Sequence, residues 1–595
     1  MSPSTPSATP VRPRRRRATL AWTATVLALA CVTACTSTSA AQSTTSASGT
    51  STSVTSGAAA GASGTTAATT AATTPTSASA STGASSTGAA STAGTPTSGA
   101  GTTGSSIPGL DPAALAVMNK APYTAGQWAI SVRDLDSGRP FVSYNADKLF
   151  QPGSVVKTYS VGAAWQQFGP DHTVVTPVKR TGRIVGNTLQ GDLVLVGAGD
   201  LTMGGRTKPD GTVDFTDLDH NDANAIPGAT LTPEDPLTGL DQLAAQVRSA
   251  GIRHVSGDVV VDDRLWEPHA LENGPVTPIV INNNLIDFTT TPGRVGAVAT
   301  VAMRPKVAPW TVTSQVKTVP AGQPTGITVT APREGTVVLT GTIAADSAPV
   351  VNTYAFKDPA TFARTAFIEA LQRKGVSVAA KAVADNPGGR LPAKAAVAAL
   401  PAVAKLTSLS LDQEATYTLK ISYNLGAETF ICLLAVQAGS TKCEAGLARA
   451  AEIWRRAGLD PTGAVLIDGS GLPGNLITAD NQVQLETIMA KRPDAARWKA
   501  TLPVLGVDGS LALVQSKGPA KGKVFAKTGT LGAGDLFNDR LLLPAKALGG
   551  YIDTKAGRHL AFAVISTNSV YTDIQGVFAA NDDVGKVVEI IQQSY

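Results

Sequence analysis

The spacing of apolar positions changes several times along the 595-residue chain, and each change marks a segment. An uncharged, mostly apolar run occupies Ala18 to Cys35, and Thr36 to roughly Ser106 then has almost no large apolar groups. Helical spacing begins at Asp111–Ala121 behind an Asp-Pro start, and two strand-like runs follow around the hairpin signal Asp136-Ser137-Gly138. After Pro152-Gly153 the apolar residues Val156, Tyr159, Ala163, Trp165 and Phe168 return to helical spacing. Beyond about Val174 strand-like runs such as "LVLVGAGD", "HVSGDVVVDD" and "EGTVVLTGTI" dominate, with helical pieces at "LDQLAAQVRSAG" and "PATFARTAFIEALQRKG". After Leu406 the pattern predicts helices over Ala415–Gly439 and Cys443–Leu459, three strands and a last helix. The chain therefore reads as one α/β (α+β) domain, residues 107–173 and 405–595, split by a β-rich insertion over 174–404.

Charge and composition narrow this picture. The formal charge of +5 comes from Arg12, Arg14, Arg15, Arg16 and Arg17, which precede every other charged residue. Without them 44 basic side chains face 44 acidic ones, so electrostatics gives no support for a nucleic-acid partner. Arginines followed by a short apolar run fit a signal peptide over 1–35 better than a spanning helix. "VTAC", Val32 to Cys35, resembles a bacterial lipobox that would place a lipid on Cys35; cleavage after Ala40 and an uncleaved anchor are the alternatives. Each version exports the remainder. Residues 36–106, rich in Ser, Thr, Ala and Gly, cannot offset the entropy of ordering and read as a disordered linker spanning roughly 45 Å. In an oxidising compartment Cys432 and Cys443, across the Gly439-Ser440 break, can form a disulfide; two separate buried thiols are the alternative.

Two S-x-x-K patterns occur, Ser154–Lys157 and Ser314–Lys317. The second lies in the alternating run "WTVTSQVKTVP", where positions three apart point to opposite faces. On a helix such positions are neighbours, so Ser154 and Lys157 can touch at a helix start. A serine needs a base, and lysine serves if burial and a nearby cation lower its pKa. Lys527 in the single K-T-G of the chain supplies that cation, with Thr528 and Thr530 facing one side to hold a carboxylate and Gly529 leaving room for a substrate backbone. Ser422 and Asn424 in "KISYNLGAE" form a third element, for proton relay and amide binding. Ser566-Thr567-Asn568 is a decoy of the same pattern.

The ordered set S-x-x-K, S-x-N, K-T-G resembles the signature of penicillin-binding proteins and serine β-lactamases. With "QPGSVVK", "LVLVGAGDLTM", "SYNLGAE", "VLIDGSGL" and "KVFAKTGTL", the chain from Ile107 onward is similar to the class C low-molecular-mass penicillin-binding proteins. The 268 positions between Ser154 and Ser422 match that family's inserted domains. The resemblance implies a penicillin-binding-protein/β-lactamase-like transpeptidase domain and a penicillin-sensitive D-Ala-D-Ala carboxypeptidase, with endopeptidase activity as a further expectation. Its partners would be peptidoglycan stem peptides and, as covalent inhibitors, β-lactams, with membrane contact only through the N-terminal segment. It implies Ser154 as nucleophile, Lys157 as base, Ser422 and Asn424 as relay and holder, and Lys527, Thr528 and Thr530 at the carboxylate. The backbone N–H groups of Ser154 and Thr530 would form the oxyanion hole, and "DGSGL" would be a supporting loop. No cofactor is implied. Two departures stand out: Pro473-Gly474 follows "DGSGL" where relatives often carry Ser-Arg, and Tyr423 replaces the usual Asp or Asn. The rivals are a β-lactamase-like hydrolase, for which no Glu-containing loop is recognisable, and a catalytically weak wall-binding lipoprotein. Asp210–Asn224 is acidic, but Asp222 and Gly228 occupy the glycine and glutamate positions of an EF-hand counted from Asp217. That stretch reads as an exposed insertion loop.

Overall fold

The computed structural model describes residues 106–271 and 274–595. The signal segment with Cys35, and the predicted linker up to Ser105, lie outside the described residues. Two strands, Gln127–Asp134 and Pro140–Tyr144, join Val524–Asp535, Arg540–Asp553 and His559–Thr567 in one antiparallel sheet. Its order is 140–144, 127–134, 559–567, 540–553, 524–535, which leaves the Lys527 strand at an edge. Ser569–Tyr571 pairs beside the 540–553 strand.

The 559–567 strand is apolar almost throughout because both of its faces are covered. Leu560, Phe562 and Val564 enter a core with the helices Pro112–Met118 and Gln575–Ser594. Alternate residues, Ala561, Ala563 and Ile565, enter a second core with the helices Lys157–Phe168, Leu411–Lys420, Asn424–Gln437, Glu444–Arg456 and Ala479–Ala490. The period of two thus divides one strand between two hydrophobic layers. Asp111 caps the first helix by accepting from the Ala113 N–H at 2.8 Å.

Within the insertion, the entering strand Val175–Arg180 pairs with the leaving strand Ala402–Thr407. Leu193–Val196 and Val259–Asp262 complete that sheet, and four further small sheets lie among the described residues of the insertion. With the helices Thr238–Ser249 and Pro359–Arg373, these strands enclose a separate core that includes Leu195, Val261, Phe288 and Phe367.

Two sequence readings are corrected. The helical pattern over Ala415–Gly439 is broken: one helix ends at Lys420, the next starts at Asn424, and Ser422 between them takes a left-handed backbone at φ 62°. The apolar spacing continues across this point, but Tyr423 N–H bonds back to the Thr418 carbonyl at 2.9 Å and closes a turn. Asp210–Asn224 is not simply an exposed loop either. Asp219 and His220 are buried, with Arg206 bound to both Asp219 oxygens at 2.7 and 2.8 Å. Arg206 also donates to His220 Nε2 at 2.8 Å, which leaves Nδ1–H to donate to Asp287 at 2.7 Å. Pairing of this kind offsets the cost of burying the charges.

Candidate active site

Ser154 stands in a single 3-10 turn, Gly153–Val156, that runs into the Lys157–Phe168 helix. Glycines let this turn rest directly on two other segments. A Cβ on Gly153 would lie 2.6 Å from the Thr530 nitrogen, and one on Gly471 would lie 2.0 Å from the Gly153 carbonyl oxygen. A Cβ on Gly529 would fall 1.8 Å from the Pro152 carbonyl oxygen. Gly529 therefore makes room for the turn that carries Ser154.

Lys157 is fully buried, and its Nζ has three partners: Ser154 Oγ at 2.7 Å, Asn424 Oδ1 at 2.6 Å and the Ser470 carbonyl at 2.7 Å. Two of these can only accept, whereas the hydroxyl can donate. A neutral amine satisfies all three, giving its two N–H groups to Asn424 and Ser470 and its lone pair to the Ser154 O–H. Burial pushes Lys157 down to about 8, against the pull of the Asp222, Asp468 and Glu428 carboxylates. The "DGSGL" loop that presents Ser470 is held by Asp468, which accepts from the Ser470 and Gly471 N–H groups at 2.9 and 2.6 Å.

Lys527 is also fully buried and donates to Ser422 Oγ at 2.9 Å, the Thr528 carbonyl at 2.8 Å and Thr528 Oγ1 at 3.3 Å. Burial first, then the charges of Lys157 and Lys546, hold it well below the usual lysine range. Each lysine has its own hydroxyl, Lys157 on Ser154 and Lys527 on Ser422, and the two stand near enough for the Lys157 charge to act on Lys527. Strain at Ser422 serves this pairing, since the left-handed turn is held by Tyr423 N–H and by Lys420, whose Nζ binds both Asp508 oxygens at 2.7 Å.

The model of the D-Ala-D-Ala carboxypeptidase 3 (S13) family matches residues 113–582. The chain belongs to this family. It is a serine-type D-Ala-D-Ala carboxypeptidase, a peptidase of the hydrolase class. The carboxypeptidase is 29% identical over 463 residues to the D-alanyl-D-alanine carboxypeptidase of Actinomadura sp. (strain R39), across 73% of this chain and 77% of that one. Its fold matches penicillin-binding protein 4 from Haemophilus influenzae with a TM-score of 0.60 at 18% identity, covering 80% of this chain and 99% of the other. The same protein complexed with a β-lactam matches with a TM-score of 0.58 at 19% identity, over the same shares of the two chains.

The other readings fall outside this cluster. Ser314 ends the strand Thr311–Ser314 and Lys317 begins another, so the decoy pair shares no element. Ser566 is buried within the central strand. Cys432 and Cys443 are joined by a disulfide that ties the Asn424–Gln437 helix to the start of the next.

Three side chains in the carboxypeptidase site were not read from the sequence. Asp222, on the insertion, is exposed, yet desolvation by the surrounding protein raises its carboxylate against the pull of Lys157 and Lys527, which lie within electrostatic reach. Ser510 Oγ lies 2.7 Å from Thr528 Oγ1. Lys546 Nζ lies 2.6 Å from Thr530 Oγ1. Only the acidic texture of Asp210–Asn224 gave a signal, and in the sequence it reads as an exposed insertion loop.

Proposed function

We propose that the carboxypeptidase acts on peptidoglycan stem peptides ending in D-Ala-D-Ala through an acyl-enzyme on Ser154. The observation that carries this is the hydrogen-bonded chain from Asn424 and Ser470 through Lys157 to Ser154, with the Ser422–Lys527 pair beside it. Lys157 takes the Ser154 proton as Oγ attacks the carbonyl of the penultimate D-Ala. The backbone N–H groups of Ser154 and Thr530 hold the oxyanion, a contribution worth about 10²–10³ in rate for one donor. Ser422 passes a proton to the departing D-Ala amine, Asn424 orients the peptide, and Lys527, Thr528 and Thr530 receive the terminal carboxylate. Water then releases the acyl group by the reverse proton path. β-Lactams acylate the same oxygen. Cross-linked stem peptides present the same D-Ala carbonyl, so endopeptidase activity belongs to the proposal.

The test is release of free D-alanine from a stem pentapeptide by the purified chain. Release by the wild type and none by Ser154→Ala is expected; equal release by both contradicts the assignment.

The N-terminal arginines, apolar run and Val32–Cys35 motif support export with a lipid on Cys35, the 36–106 tract acting as a tether. Incorporation of a clickable palmitate that is lost in Cys35→Ala tests this; equal incorporation contradicts it.

A further inference from the structure

Lys546 stands directly opposite Thr530 in the antiparallel ladder of the 524–535 and 540–553 strands, so the two side chains leave the same face of the sheet. Thr528, two residues before Thr530, shares that face. Lys546 is 2% exposed, and its Nζ has one partner, Thr530 Oγ1 at 2.6 Å. No carboxylate among the described residues pairs with it; burial alone moves it, down to about 7. An ammonium offers three N–H groups, so two donors of this buried cation stay available. A cation in such a place is costly unless an anion completes it. The adjacent groups, Thr530, Thr528 and Lys527, are those that receive the substrate carboxylate in the reading above, on which this inference rests.

We propose that Lys546 is a positioning residue that, through Thr530, commits the enzyme to peptides whose departing residue carries a free α-carboxylate. By donating to Thr530 Oγ1 it occupies an acceptor lone pair and turns the hydroxyl proton outward, towards the incoming carboxylate. Its charge lies just behind that hydroxyl. The substrate thereby supplies the counter-ion that the free enzyme lacks, and binding favours the charged lysine.

The experiment measures kcat and KM for an acylated peptide ending in D-Ala-D-Ala and for the same peptide as its C-terminal carboxamide. The expected result is a fall of about 10-fold in the acid-to-amide ratio of kcat/KM for Lys546→Met, carried mainly by KM for the acid. Lys546→Arg restores most of the ratio. In a Thr530→Val background, Lys546→Met changes the ratio by less than about 2-fold, since the lysine acts through the hydroxyl. An acid-to-amide ratio unchanged in Lys546→Met, with both peptides falling together, overturns the inference and leaves the functional reading standing. So does an effect of full size in the Thr530→Val background. A wild-type chain that cleaves neither peptide overturns the functional reading and this inference with it.

Discussion

A free lysine at neutral pH holds its proton about three units too tightly to serve as the base for a serine hydroxyl. At Lys157 the fold corrects this by burial, and it gives the side chain two carbonyl acceptors and one hydroxyl that can donate. Because the lysine is lowered to about 8, the neutral base becomes populated as pH rises through that value. Acylation by a penicillin, followed by stopped-flow fluorescence, is expected to rise with pH along a limb centred near 8 and then level off. The midpoint belongs to the Lys157–Lys527 pair, since each charge opposes the other. A rate independent of pH between about 6 and 9 contradicts this account of the base. Ser154 and Lys157 were legible because helical spacing brings positions three apart together. The Ser470 carbonyl and Lys546 were not, since only tertiary contacts bring them to the site.

At the scale of elements, the site is a junction of short pieces held close by glycine. The nucleophile turn touches the Lys527 strand where the Gly529 Cβ would collide with the Pro152 carbonyl. Gly529→Ala must separate the turn from the strand and move the Thr530 N–H away from Ser154. Loss of about 10²–10³ in the acylation rate is expected, with helix and sheet content by circular dichroism retained. Acylation at the wild-type rate contradicts the packing argument. Most strands and helices were readable from period alone. The break at Ser422 was not, because apolar spacing runs on through Ile421 and Tyr423 while the turn depends on Lys527 and Asp508, which are distant in sequence. The pairing of Thr530 with Lys546 depends likewise on a hairpin with a bulge between Leu531 and Ala533. That irregularity fixes which residues face each other.

Across the whole molecule, the insertion enters the chemistry through its charge. The buried group of Arg206, Asp219, His220 and Asp287 anchors the loop that carries Asp222, and Asp217 accepts from the Gly509 N–H of the catalytic domain at 2.8 Å. The Asp222 carboxylate raises both Lys157 and Lys527. Removing that negative charge in Asp222→Asn makes both lysines lose protons more readily, so the rising limb of acylation is expected to move to lower pH. A limb that stays in place, or moves to higher pH, contradicts this coupling. The insertion's strands were legible from their apolar runs. Its contribution to the site was not, since an acidic loop in a sequence carries no mark of what it packs against.

The account rests on Ser154 being the acylated oxygen. Its most direct test is mass spectrometry of the chain after reaction with a fluorescent penicillin. The expected adduct lies on the peptide containing Ser154, is lost in Ser154→Ala and is retained in Ser314→Ala. An adduct that survives Ser154→Ala, or maps to another peptide, contradicts it.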